Sequence, residues 1–92
     1  MMQEAIERVQ QMENYFDMLQ EVVNTNPDAI QEDTLVKDVL QKLIQYYESG
    51  QWLHDYELDE KRFFPEDLKR GVLAQDSVYD LLEQIKIYVT KK

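Results

Sequence analysis

The chain has 92 residues, 43% apolar, 11% aromatic and 32% charged, with ten Lys and Arg against nineteen Asp and Glu for a net charge of −9. Such a length allows one small domain, 1–92, that buries about 60–65% of the surface its unfolded chain exposes, and the lack of cysteine excludes disulfide scaffolds, zinc–thiolate sites and cysteine nucleophiles. The acidity disfavours direct binding to nucleic-acid phosphates or anionic membranes and leaves basic or neutral partners open. Two glycines and two prolines are few, which favours long helices over a many-turned sheet.

From the N-terminus, Met2, Ala5, Ile6, Val9, Met12, Phe16, Leu19 and Val23 recur at steps of three and four, the pattern of a helix with one buried seam. The first fifteen residues, MMQEAIERVQQMENY, resemble neither a signal nor a transit peptide, and no stretch of the chain approaches the ~20 apolar residues of a membrane span. A cytoplasmic location is the default expectation. The first helix is predicted to stop before Asn24-Thr25-Asn26-Pro27, where Pro27 lacks an amide donor and the polar side chains compete for the backbone. Asn26, or Asp28 with Gln31, is the predicted cap of the next helix.

Leu35, Val36, Val39, Leu40, Leu43, Ile44, Tyr46 and Tyr47 carry the second helix as far as Gly50, which suits the left-handed residue that follows a helix end. Residues 51–74 have no sustained period. Within them Trp52, Leu53 and Tyr56 fit one helical turn, and Pro65-Glu66-Asp67-Leu68-Lys69-Arg70-Gly71 reads as a complete short helix, with anions at its start, cations at its end and a glycine stop. Val78, Leu81, Leu82, Ile85, Tyr88 and Val89 mark a last amphipathic helix, with Asp76 and Asp80 near its start and Lys86, Lys91 and Lys92 near its end. The expected fold is all-α: an antiparallel helical hairpin, a short helical connection at 51–74 and a third, C-terminal helix closing a three-helix bundle.

The tract YYESGQWLHDYELDE (46–60), followed by FPEDLKRGVLAQDSVYDLL (64–82), resembles a small bacterial family of acidic helical proteins known as domain of unknown function 4298. Its members show YYxSxxWxxDYExDE and LPxDLKRGVLSxDxLYxLL. Trp52, Asp55, Tyr56, Glu57, Asp59, Lys69, Arg70 and Gly71 fall on these patterns. Phe64 stands where leucine is frequent, and Ala74 where a serine would cap the last helix, which leaves the cap to Gln75, Asp76 or Ser77. The resemblance implies a helical fold and a bacterial cytoplasmic origin, and carries no assigned chemistry.

Four readings compete for the 51–74 tract. As a calcium loop, Asp55, Glu57, Asp59 and Glu66 fall on positions one, three, five and twelve, but Glu60 occupies the turn position that needs glycine and Arg62 the usual apolar eighth position. As a catalytic site, the lone His54 has no accompanying cysteine, no glycine turn surrounds Ser49, and there is no phosphate-binding glycine loop. As architecture, Arg70 or Lys69 folds back to pair with Asp55 or Asp59. As a binding face, Trp52 and Tyr56 with Phe63 or Phe64 offer aromatic anchors.

The binding face is preferred: a non-enzymatic cytoplasmic protein-interaction module with an acidic, aromatic-rich face of Trp52, Asp55, Tyr56, Glu57, Asp59, Phe64, Lys69 and Arg70. It has no catalytic residue, metal or cofactor, and its protein partner is unknown. The alternatives are an acidic nucleic-acid mimic that blocks a DNA-binding protein, and a small metal-dependent enzyme using the acids of 54–60. The seam of the first helix also suits a homodimer.

Overall fold

The computed structural model describes residues 2–74 and 76–90. Gln75, Lys91 and Lys92, expected at the two ends of the last helix, lie outside the described residues, as do the side chains of Met2 and Val89. Helix α1 (Met2–Thr25) leads through a single turn, α2 (Ala29–Glu32), into α3 (Thr34–Glu48); then come α4 (Gln51–Glu60), an irregular stretch with a 3-10 turn at Gly71–Leu73, and α5 (Ser77–Thr90). Among these residues there is no strand, so the fold is all-α, and no helix is long and apolar enough to cross a membrane.

The seam of α1 is consumed inside the chain. Ala5, Val9, Phe16, Leu19 and Val23 are buried in one core with Val36, Val39, Leu40 and Leu43 of α3, Val78, Leu81 and Ile85 of α5, and Val72 and Leu73. Helix α1 packs on α3, α5 and the 3-10 turn, while α5 also leans on α2, where the Gln31 side-chain amide donates to the Tyr88 carbonyl. The end of α5 therefore lies near the start of α3, and the two run in opposite directions. The hairpin, the connection and the closing helix stand as expected.

Several local expectations are corrected. Helix α1 runs through Thr25, whose hydroxyl donates to the Glu21 carbonyl at 2.7 Å, and the Asn26 amide still donates to the Val22 carbonyl at 2.8 Å, so the polar side chains do not break the helix before Thr25. Neither Asn26 nor Asp28 caps the second long helix. Asp28 is itself helical, with no side-chain cap bond, and Asp33 accepts from the amides of Leu35 at 2.9 Å and Val36 at 3.3 Å. Gly50 takes φ +94°, the left-handed value foreseen for it. The single turn predicted at Trp52 is a ten-residue helix.

The segment from Pro65 to Gly71 is not a helix. The Leu68 amide reaches the Pro65 carbonyl at 3.2 Å to close one turn, but Arg70 then donates to the Pro65 and Leu68 carbonyls. Those acceptors are the ones a continuing helix needs. Gly71 opens the 3-10 turn rather than ending a helix. A Cβ there would sit 3.1 Å from the Glu13 carboxylate, so the glycine provides close approach.

Candidate functional site

The tract that stood out in sequence gathers at one end of the bundle, where α4 lies across the start of α1 and the end of α3. Asp55 is fully buried. Its carboxylate accepts from Arg8 Nε at 2.9 Å and Nη2 at 2.6 Å, and from the buried Tyr46 hydroxyl at 2.8 Å. The bidentate fork neutralises and orients the acid, and the phenol occupies a further lone pair. The Asp55 hydrogen bond holds the Arg8 guanidinium above its ordinary pKa. Burial, then the same carboxylate, pushes the Tyr46 phenol well above its usual value. One residue on each of α1, α3 and α4 is thereby pinned to the other two.

A second junction closes on Val72. Its amide donates to Glu13 Oε1 at 2.8 Å, and its carbonyl accepts from Trp52 Nε1 at 2.8 Å. Both polar groups of a fully buried residue are thus satisfied by side chains from α1 and α4, which an irregular segment in a core requires. The indole held in this way forms the middle of a ring ladder. Tyr47 meets it edge-on at 5.3 Å between centroids, and Tyr56 stacks on it at 5.2 Å and 14°, both favourable aromatic geometries. All three rings are half-buried.

The remaining candidates divide between scaffold and surface. Arg70 binds Asp59, one of the anticipated pairings, whereas Lys69 reaches Asp17 of α1 at 3.2 Å and Asp55 takes Arg8 instead of either. Phe64 is buried in the core and its neighbour Phe63 is 55% exposed. Glu57 and Glu60 are exposed on α4, together with Leu53. His54 lies 3.4 Å from Asp55, yet Arg70 is engaged elsewhere, so His54, Asp55 and Arg70 form no common site. Among the described residues no three of Asp, Glu and His converge as metal ligands. The open cleft of about 490 Å³ beside Tyr46 is lined by Gln11, Met12, Tyr15, Lys42, Gln45 and Ser49, among others, with Lys42 held by Asp38 at 3.1 Å. It offers no carboxylate for acid–base chemistry.

Sequence reasoning missed Arg8 and Glu13. A signal existed: Arg8 lies three residues after Ala5 and four before Met12, and Glu13 four after Val9 and three before Phe16, so both occupy the apolar seam. A charge on a buried stripe implies a buried partner, although its position in the sequence does not follow.

Comparison with known proteins agrees with the sequence tract and extends it. The family model described as "Domain of unknown function (DUF4298)" matches residues 9–91, taking in most of α1 as well as the 46–82 region. Neither the curated proteins nor the solved structures give a match. With nearly the whole chain covered, from the helix that supplies Glu13 to the end of α5, the protein belongs to the DUF4298 family.

Proposed function

We propose that the protein is a non-enzymatic, cytoplasmic protein-interaction module that presents the acidic, aromatic-rich surface of α4 to a partner protein. The observation that carries this reading is the Tyr47–Trp52–Tyr56 ladder, half-buried and fixed by the Trp52–Val72 hydrogen bond. Aromatic side chains immobilised in advance lose little entropy when a partner covers them, which is the property of an interface anchor. Leu53, Glu57 and Glu60 on the same helix supply further apolar and anionic contacts. Asp55, Phe64, Lys69 and Arg70 support this surface from within or beside it.

The test is retention of proteins from an extract of the source organism on the immobilised chain, beside a Tyr56→Ala variant verified as folded by circular dichroism. The expected result is a discrete protein held by the wild type at high salt and lost by the variant. Retention that disappears with salt alone and ignores Tyr56→Ala would replace this reading with phosphate mimicry. No retained protein at all overturns the reading.

A further inference from the structure

One apolar surface remains incompletely covered. Helix α5 rests on α1, α2 and the 3-10 turn, and between it and α3 runs a groove of about 290 Å³ walled by Leu40, Ile44, Leu82 and Ile85. Ile44 and Leu82 are half-buried, and Tyr79, three residues before Leu82, is 53% exposed.

The charges beside the groove have a definite order. On α3, Lys37, Gln41, Ile44 and Glu48 share one stripe by their spacing of four, three and four, with a cation at its start and an anion at its end. On α5, Leu82 and Lys86, four residues apart, line the opposite wall. Lys37 and Glu48 form no ion pair among the described residues.

We propose that this face binds a second copy of the chain about a two-fold axis perpendicular to α3 and α5. Under that operation each helix lies antiparallel on its own copy. Glu48 meets Lys37 of the second copy, and the apolar walls close on one another between the two pairs. Isologous packing needs a surface complementary to itself, and the opposite charges at the two ends of the α3 stripe provide one. The eleven steps from Lys37 to Glu48 span about 16 Å, less than half the 43 Å length of the molecule. The contact therefore belongs among small, reversible interfaces. Screening over about 8 Å at physiological salt confines the repulsion of the remaining charge.

Sedimentation equilibrium across a concentration series tests this, because the charged positions are exposed and can be exchanged without disturbing the core. The wild type is expected to be dimeric at high micromolar concentration. Lys37→Glu and Glu48→Lys each convert two attractive contacts per dimer into two repulsive ones and weaken association at least tenfold. The Lys37→Glu/Glu48→Lys double variant restores it, since the pairs re-form with their signs exchanged. A wild type monomeric throughout, a dimer indifferent to both single changes, or a double variant as weak as the singles would each overturn the proposal.

Discussion

At Asp55 a full negative charge sits where no water reaches it, held by a guanidinium from α1 and a phenol from α3. Taking away one partner of a buried pair leaves the other charge uncompensated, which costs more than the pair contributes in net stability. Arg8→Met is accordingly expected to destabilise the protein by about 3 kcal/mol, a large share of the ~5–15 kcal/mol that holds a domain together. Arg70→Met, which frees a partly exposed Asp59, is expected to cost about 1 kcal/mol or less. Urea unfolding of the two variants measures the difference, and equal losses would refute the role assigned to Asp55. Tyr46 adds a pH dependence whose sign is fixed by its raised pKa. In the unfolded chain the phenol ionises near pH 10, while in the folded protein it keeps its proton. Above that pH the unfolded state binds fewer protons, so stability is complete below about pH 10 and falls by up to about 1.4 kcal/mol per pH unit above it. Tyr46→Phe removes this contribution: it starts about 1 kcal/mol lower at neutral pH for the lost hydrogen bond, and its alkaline decline is shallower. Parallel declines in denaturation at pH 9 to 11 would rule the assignment out.

Among the elements, the three long helices are legible from their three-and-four apolar spacing, because their buried faces are built from Val, Leu, Ile and Phe. Helix α4 is not, since its most deeply buried position is a carboxylate, Asp55, and a hydropathy pattern counts that as a solvent position. The junction between α1 and α3 shows a different limit. Two acids, Asp28 and Asp33, stand five residues apart, and either is an acceptable N-cap by type. The backbone decides: Asp33 is extended and aims its carboxylate at two amides, whereas Asp28 has helical angles. Asp33→Ala is therefore expected to lower the melting stability by about 1 kcal/mol, and Asp28→Ala to leave it unchanged within a few tenths; calorimetry of both variants distinguishes the caps.

For the molecule as a whole, what was legible and what was not separate along the range of the interactions. Bundle topology follows from local periodicity and a short connection. The path of residues 61–74 follows from contacts that span the chain: the Val72 amide with Glu13, the Trp52 indole with the Val72 carbonyl, and Lys69 with Asp17. These are single polar contacts with no repeat, so nothing local announces them. The aromatic candidates were recognisable by type, but their division into a half-buried ladder and a buried Phe64 depended on that same segment. The resemblance read from residues 46–82 proved the more reliable guide, since the family model extends over residues 9–91.

The seam of α1 holds two charges, Arg8 and Glu13, whose partners arrive 47 and 59 residues later. A ribosome releases the chain from its N-terminus, so the hairpin of α1 and α3 leaves the exit tunnel with a cation and an anion on the surface it must bury, before the Asp55 carboxylate and the Val72 amide that bind them have been made. Water holds both until α4 brings Asp55 and the 3-10 turn brings Val72. The first half of the protein thus carries on its seam two charges that are met only from the second half, so the burial of that seam depends on residues from both halves of the chain.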